Sequence, residues 1–570
     1  MSGQDGYWQR LANRRASRRS LLGGAAVAGA GLASMAAVGC SSSSNNSKTN
    51  TPSSSSSPAG SAAAGASATS TQTPKPGGTY TEAFTGPFAG VDPHSSVYGG
   101  SGIIPLVYNY LIRDEIAVYP QAGIIQDLAQ SHKLQSDNLT WVFNLRPNVM
   151  IAANTEGVPV RALDSGDVLA SWNRIKDPNS GSNGYAFASQ WIDKMDAPDP
   201  NTFRMIMKEP YAWTEANVGN NLIGPIVPKE WLQNANLKKT AVGAGAFTLT
   251  ELVESDHATM AKNPTYYKTG KPYLDQLIIR SFSDQATERT AFTAGQLDAY
   301  GAVTQDEAKQ LKSANAQLAY YHEKSTGFDS FWMHIKTAPW TDARVRRAVN
   351  YALDRSQYIQ IIGDGAGQAI GPLSYVFDGY TLSDAQLKQY QPYDPAEAKK
   401  LFSAAAVTEF TFSYPAAYNV ADYVNIFVKN MQDAGVTAKP QPLDAATWLA
   451  GYYTSQLTAS LTLNQEYQTP DFGLQWFVTG GITGNGHYDT GFSDPDVDAA
   501  VKKAATTLDL AARKQAYIDA QILILKKDPP FFNIFGFYSD ELVYPYIHNY
   551  PVDRGSFGYA FQEDLWTSKA

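Results

Sequence analysis

Short segments in which apolar and polar residues alternate recur along the chain, and this period of two is typical of half-buried β-strands. The segments 139–145, 277–282 and 410–414 show it most clearly. Segments with helical spacing lie between them from residue 77 onward, so strands and helices interleave. Together with the length of 570 residues, this pattern predicts an α/β or α+β fold with two lobes.

Three helices are predicted from their first residues. The pairs Asp394-Pro395 and Asp494-Pro495 each place a capping acid before a proline at the first helical position. A third helix begins after Asp342, where one face would carry the apolar residues Val345, Ala348, Val349, Ala352 and Leu353.

The first forty residues have the composition of a secretion signal. Five arginines among the first nineteen residues precede the uncharged, Ala- and Gly-rich run 21–38, and Cys40 directly follows Ala37-Val38-Gly39. The run 17–22 resembles a twin-arginine export signal, and the four residues ending at Cys40 resemble a bacterial lipobox. We therefore expect residues 1–40 to be a signal peptide with Cys40 as the lipidated residue. The alternative is an uncleaved membrane anchor; in either case the folded part is extracytoplasmic.

Residues 41–76 consist mainly of Ser, Ala, Thr, Gly and Pro, so this segment is predicted to be a disordered tether. Cys40 is the only cysteine, which excludes internal disulfides and cysteine-ligated zinc from the part that follows. The formal net charge is −8. An acidic chain is a poor partner for nucleic acid, because it has no surplus of basic groups to neutralise phosphates.

Sequence signatures of catalysis are absent. The chain contains no Gly-x-Ser-x-Gly, His-Glu-x-x-His or Gly-x-x-x-x-Gly-Lys-Ser/Thr motif. The glycine-rich run 363–367 follows a predicted helix, whereas a dinucleotide site follows a strand, so it is interpreted as a turn. The acidic run 494–498 lacks the Gly and the closing Glu of a calcium loop and is interpreted as a helix start. No catalytic residue, cofactor or metal ion is predicted.

Aromatic residues are abundant in this weakly charged chain, with 33 Tyr, 24 Phe and 11 Trp. Most single rings are expected to pack in the core. Collectively, an acidic body rich in Tyr and Trp suits a cleft that stacks on a ligand and hydrogen-bonds it.

Several sequence blocks resemble the family-5 extracellular solute-binding proteins, which are the dipeptide and oligopeptide binders of ABC importers. The clearest is WTDARVRRAVNYALDR at 340–355, and further blocks follow in family order at 77–80, 91–94, 141–149, 167–172, 242–247, 263–275 and 295–298. The resemblance implies a two-lobed class II periplasmic-binding-protein fold with a hinge and an interlobe cleft. Lobe one is expected to comprise residues 77–282 and 530–570, and lobe two residues 283–529.

Peptide binders of this family hold the ligand ammonium group with an Asp in an Asp-x-x-x-Pro segment, which Glu466 to Pro470 matches here with Glu in place of Asp. The resemblance implies that Glu466 contacts the ligand. The predicted ligand site comprises Glu466 and the aromatic residues Tyr98, Tyr418, Trp448, Tyr467 and Trp476. The implied partners are a peptide and a membrane-embedded ABC permease, and the protein is expected to be a monomer. An oligosaccharide or a metal chelate as the ligand, and a cell-surface enzyme or chaperone as the function, remain the alternatives.

The lipoprotein interpretation predicts that replacing Cys40 by Ser releases the protein from the membrane, because the serine hydroxyl cannot carry the thioether-linked lipid. Fractionation of expressing cells, followed by immunoblotting, measures the distribution between membrane and medium. A Cys40→Ser protein that remains in the membrane after a carbonate wash would instead establish the uncleaved anchor.

Overall fold

The computed structural model describes residues 73–569, apart from the short stretches 86–87, 89, 96–101, 115–117, 120–122, 303, 417–419, 455, 466–468, 481–489 and 554–561. The predicted signal, Cys40 and residues 41–72 of the predicted tether lie outside the described residues. None of the helices in the described part is long and apolar enough to cross a membrane.

Two four-stranded sheets form much of the part of the molecule that precedes residue 283. The first consists, in spatial order, of β1 (Thr79–Thr85), β13 (Gln276–Phe282), β12 (His257–Lys262) and β11 (Phe247–Val253). The second consists of β6 (Ala129–Leu134), β7 (Thr140–Leu145), β9 (Thr202–Met207) and β8 (Ile192–Asp199). Only the pair of β1 and β13 is parallel in these two sheets; their other neighbours are antiparallel.

A larger mixed sheet contains, in spatial order, β14 (Ala299–Gly301), β20 (Phe531–Val543), β15 (Ala319–Met333), β19 (Ala459–Gln465), β17 (Glu409–Pro415) and β18 (Thr437–Leu443), with β16 (Gln368–Ala369) beside β20. Short antiparallel pairs complete the strands: β2 (Asn109–Tyr110) with β10 (Pro225–Ile226), β3 (Ile112–Asp114) with β5 (Ile124–Gln126), β4 (Val118–Tyr119) with β22 (Val552–Asp553), and β21 (Ile547–His548) with β23 (Trp566–Thr567).

The helices lie between the strands. They are α1 (Ile104–Val107), α2 (Ser165–Lys176), α3 (Tyr185–Trp191), α4 (Thr214–Val218), α5 (Gln285–Thr293), α6 (Gln305–Ala314), α7 (Ala343–Ala352), α8 (Arg355–Ile361), α9 (Asp384–Tyr390), α10 (Pro395–Ala404), α11 (Ala421–Asp433), α12 (Ala445–Tyr453), α13 (Pro470–Leu474), α14 (Pro495–Thr506) and α15 (Leu510–Lys526).

The elements predicted from hydrophobic patterning are confirmed. Strands β7, β13 and β17 occupy the three alternating segments. Asp342 accepts a hydrogen bond from the Arg344 amide at the start of α7, which buries Val345 and Val349. Asp494 accepts from the amides of Asp496 and Val497, so the acidic run is a helix cap, as predicted. The alternation and the caps are local signals, and tertiary packing did not override them.

Residues that follow β13 pack back on the first sheet. A separate apolar cluster contains Phe292, Tyr300 and Leu318 from this stretch, together with Phe282 at the end of β13 and Leu542 near the end of β20. The Asp298 carboxylate accepts a hydrogen bond of 2.7 Å from the Thr81 amide of β1. The stretch 283–318 is therefore attached to β1 and to the C-terminal half of β20.

The C-terminal segment is fixed to the interior by one buried acid. Glu563 is 3% exposed and receives two hydrogen bonds from the Arg113 guanidinium, at 3.1 and 3.2 Å. The Lys268 ammonium and the Tyr266 hydroxyl donate to the same carboxylate. At the other end of the folded part, β1 lies next to the C-terminal strand β23. Both ends of the folded chain therefore belong to the same part of the molecule.

Burial alone would raise the pKa of Glu563, but the charges of Arg113 and Lys268 outweigh it and lower the pKa to about 2. A carboxyl group with a depressed folded-state pKa stabilises the fold above its unfolded pKa, and that stabilisation is lost as the pH falls through the folded value. The shift from the ordinary 4.5 to about 2 corresponds to about 3 kcal/mol.

Glu563→Gln is therefore expected to reduce the free energy of unfolding by about 3 kcal/mol at neutral pH, because it removes the buried negative charge that Arg113 and Lys268 stabilise. The difference from the parent protein should shrink as the pH is lowered from about 4.5 toward about 2. Urea unfolding at a series of pH values measures both effects. The matched control is Glu397→Gln, which removes an exposed pair with Lys400 and should leave the midpoint unchanged; equal losses in both variants would contradict the assignment.

Candidate functional site

Two long neighbouring strands connect the two halves of the large sheet. The first half of β15 pairs with β20, from Ala319 opposite Val543 to Lys324 opposite Tyr538. The second half of β15 pairs with β19, from Gly327 opposite Gln465 to Met333 opposite Ala459. One end of the β15–β20 pair therefore lies beside β14, and the other end belongs to the part of the sheet that contains β17, β18 and β19.

The ladder between β15 and β20 is irregular where it passes between these halves. Lys324 pairs with Tyr538 and Phe328 pairs with Gly536, so three residues of β15 lie opposite Phe537 alone. The Ser325 hydroxyl accepts a hydrogen bond of 3.0 Å from the Gly327 amide inside this bulge. Bulges interrupt strand pairing locally and increase the bend and twist of the bulged strand.

At two glycines of the bulge, an aromatic ring packs directly against the backbone, because glycine has no Cβ atom. A Cβ atom on Gly536 would lie 2.2 Å from the Tyr375 ring, and one on Gly327 would lie 2.5 Å from the Phe537 ring. The Tyr375 hydroxyl donates to the Phe537 carbonyl and so holds its ring at this position. A side chain at either glycine would therefore displace a ring that packs on the crossing strands.

The parallel strands of the sheet end beside this bulge. β17 is parallel to β18 and to β19, with Ser413 opposite Ser460. β17 ends at Pro415, and β19 ends at Gln465, which pairs with Gly327 of the bulge. Ligands of open α/β sheets bind at the carboxyl ends of the parallel strands. This edge of the sheet, facing the crossing strands, is therefore the candidate ligand site.

Four of the six predicted ligand residues lie outside the described residues: Tyr98, Tyr418, Glu466 and Tyr467. The strands that precede three of them are described. β17 leads into the stretch that contains Tyr418, and β19 leads into the stretch that contains Glu466 and Tyr467. Since β17 and β19 are parallel, both stretches begin from the same edge of the sheet, although they are separated by about fifty residues in sequence.

The two predicted tryptophans that the structure describes pack inside the molecule. Trp448 of α12 is 2% exposed, donates its indole N–H to the Ser460 hydroxyl at 2.9 Å and stacks on Tyr452. Trp476, in the 3-10 turn Gln475–Phe477, is half-buried and meets the Trp332 ring edge-on at 5.0 Å between ring centres. Both rings therefore pack against strands of the large sheet. Contact of either ring with a ligand stays a prediction.

Asp471, a residue that the sequence analysis did not identify, lies one turn beyond the predicted site. It belongs to the first turn of α13, whose cap Thr469 accepts from the Phe472 amide. Its carboxylate is buried and accepts hydrogen bonds from the hydroxyls of Tyr211, at 2.8 Å, and Tyr517, at 3.3 Å. Burial raises its pKa above the ordinary value. The only signal in the sequence is a helix-start pattern at Thr469-Pro470-Asp471, which does not indicate burial.

Among the described residues, no group of three or more His, Cys, Asp or Glu side chains is arranged to hold a metal ion.

Comparison with known proteins places this architecture in a family. A family model described as bacterial extracellular solute-binding proteins, family 5 Middle, matches residues 123–485. Di/tripeptide-binding protein 2 of Pseudomonas aeruginosa is 27% identical over 308 residues, which are 51% of this chain and 57% of that protein. Heme-binding protein A of Haemophilus influenzae is 25% identical over 455 residues, which are 74% of this chain and 80% of that protein.

A solved structure shares the fold. The ABC transporter-associated periplasmic binding protein DppA from Helicobacter pylori, in complex with the peptide STSA, matches with a TM-score of 0.73 at 20% identity and covers 87% of this chain and 99% of that one. The family model spans more than half of the chain, and the fold covers nearly all of its described part. The chain therefore has the two-lobed periplasmic-binding-protein fold and belongs to family 5 of the bacterial extracellular solute-binding proteins.

Proposed function

We propose that this protein is the extracytoplasmic substrate-binding component of an ABC importer, which binds a peptide between its lobes and delivers it to a membrane permease. The observation that carries the proposal is the convergence of the parallel strands β17 and β19 on one edge that faces the crossing strands. The protein acts as a monomer, held at the outer face of the cell membrane by a lipid on Cys40 and the tether that follows. It binds its ligand without chemical conversion.

The lobes are assigned from the contacts of the described residues. Residues 283–318 pack on β1 and on the end of β20, which supports placing them in lobe one. The two crossings then lie at the bulge, near residues 325–327 of β15 and 536–537 of β20. This assignment moves the boundaries from the positions 282 and 530 that the sequence motifs indicate. Lobe two begins with the second half of β15 and ends with the first half of β20.

Closure of the lobes accompanies binding in this proposal. A ligand that contacts both lobes favours the closed form only by the difference between its affinities for the closed and open forms. The Ser325–Gly327 bulge supports a hinge at this position, because a locally unpaired strand bends at a lower cost than a continuous ladder. The tether keeps the closed protein near the permease and raises its effective concentration there.

Glu466 is proposed to bind a cationic group of the ligand, with Tyr98, Tyr418 and Tyr467 providing ring and hydroxyl contacts and Trp448 and Trp476 supporting them. A carboxylate and an ammonium group form a charge-assisted hydrogen bond, which strengthens when closure removes water. Glu in the place of the family's Asp extends the side chain by one methylene, so the ligand cation would lie further from the backbone.

A non-peptide ligand is the second candidate, and the similarity to a protein named for heme binding favours it. Native mass spectrometry of protein purified without denaturation separates the two candidates. A retained peptide supports the first, and a retained chelate or sugar supports the second. Turnover of a retained compound would contradict both.

Glu466→Gln is expected to weaken binding of a cationic ligand at least about a hundredfold, because removing one partner of a buried charge pair costs about 3–5 kcal/mol. Titration calorimetry with the ligand identified by mass spectrometry measures the change. The control is Glu409→Gln, an exposed residue that begins β17, the neighbour of β19 in the sheet, and pairs with Lys439; it should bind like the parent. Binding of the Glu466→Gln protein within about threefold of the parent would remove Glu466 from the site.

A further inference from the structure

The segment between β9 and α4 of lobe one is in contact with lobe two. The Tyr211 hydroxyl donates to the Asp471 carboxylate at 2.8 Å, and the Trp213 indole N–H donates to the Tyr517 hydroxyl at 2.7 Å. The Ala212 amide donates to the Ala505 carbonyl at the end of α14, at 2.9 Å. Three consecutive residues of lobe one therefore bond to three separate helices of lobe two.

The contact is buried and consists mainly of aromatic residues. Tyr211 and Asp471 are each 4% exposed, Trp213 is 8% exposed and Tyr517 is fully buried. The Trp213 ring packs against the rings of Tyr380 and Tyr517, at 5.5 and 5.9 Å between ring centres. The Arg513 guanidinium lies 5.1 Å from the centre of the Trp213 ring. An ion pair between Lys502 and Glu209 lies at the exposed margin.

We propose that this contact is a latch that forms when the lobes close, and that Asp471 sets how readily it forms. The proposal rests on the proposed function only in requiring that the two lobes open and close. The latch consists of Tyr211 and Trp213 on lobe one and of Asp471 and Tyr517 on lobe two.

The opposing contributions of the latch explain why closure would depend on a ligand. Burying the rings of Tyr211 and Trp213 favours the closed form. Withdrawing the Asp471 carboxylate from water opposes it, because its hydrogen-bond partners Tyr211, Tyr517 and Gln475 are neutral. The hydroxyl bonds recover part of that cost. Because these two contributions to the free energy of closure oppose each other, their sum is small. A ligand with a modest difference in affinity between the closed and open forms therefore determines whether the lobes close.

Asp471 also connects the latch to the ligand site. It lies in the first turn of α13, five residues after Glu466. The helix start at Thr469 and Pro470 fixes the backbone immediately before Asp471, so a latch bond to Asp471 acts on the segment of the chain that also carries Glu466. Closure and ligand contact are thereby coupled through one short segment.

The pH dependence of closure has a definite sign. Burial raises the pKa of Asp471, and opening, which removes the lobe-one side of that burial, would return the pKa toward the ordinary value. Closure therefore favours the protonated acid and is promoted as the pH falls from neutral toward the ordinary pKa of an aspartate. Tyr211 and Tyr517 face Asp471, and burial raises the pKa of each far above that range. The charge of Arg513 acts on Tyr517, and Lys502 is paired with Glu209.

Electron-spin distance measurements on the full chain without ligand test the latch. The spin labels are attached at Val160→Cys and Tyr393→Cys in a Cys40→Ser background. Both positions are exposed, and they lie on opposite lobes. The distance between the two labels reports the populations of the open and closed forms. Asp471→Asn keeps an acceptor oxygen and removes the cost of withdrawing a charge from water, so it should raise the closed-to-open ratio about tenfold at neutral pH and abolish its pH dependence. Tyr211→Phe removes one hydrogen bond and should lower the ratio about fivefold at acidic pH.

The controls are Asp433→Asn, an exposed acid of α11, and Tyr544→Phe, whose hydroxyl bonds the Phe292 carbonyl within lobe one; neither should change the ratio. A single distance in every variant, with a lower melting temperature for Asp471→Asn and Tyr211→Phe, would show that the contact is permanent and overturn the proposal. Equal shifts of the two variants in the same direction would also overturn it. Because no ligand is added, these outcomes do not depend on whether the ligand is a peptide.

Discussion

The main-chain ladder between β15 and β20 is the constraint on which the rest of the structure depends. β20 pairs with β14 and β15, and β15 also pairs with β19, so in the proposed lobe assignment these two strands fix the register of both lobes at the same time. Gln465 pairs with Gly327 beside the bulge, and this pairing directs the carboxyl ends of the parallel strands toward the crossing. In the bulge, three residues of β15 lie opposite one residue of β20, so the strands can bend there. The paired residues on either side keep the two strands aligned. The candidate ligand site and the proposed hinge therefore depend on the same pair of strands.

Local sequence signals predicted a large part of the fold. Alternation identified β7, β13 and β17, and acids before a helix identified the starts of α7, α10 and α14. These features depend on residues within a few positions of one another. The motifs also indicated a two-lobed fold, since they keep the order of a known family.

The candidate site was less accessible to sequence reasoning. The Trp448 ring fits between Tyr452 and the Ser460 hydroxyl, and nothing local to its sequence reports that fit; its contact with a ligand stays a prediction. Asp471 was missed because its partner Tyr211 is 260 residues away. Burial of an acid is a property of the assembled lobes. Two buried carboxylates illustrate the difference: Glu563 has cationic partners and a lowered pKa, whereas Asp471 has neutral partners and a raised one.

Both ends of the folded chain lie in the part of the molecule that we propose as lobe one, and this has a mechanical consequence. β1 lies next to β23, and Glu563 fixes the C-terminal segment to Arg113. A pull transmitted through the residues that precede β1 is therefore carried by lobe one alone. In the proposed assignment, lobe two is covalently joined to lobe one only through the two crossing strands, so the pull does not pass through lobe two. Such a pull would not separate the lobes, and the equilibrium between open and closed forms should be the same in an anchored protein as in free solution.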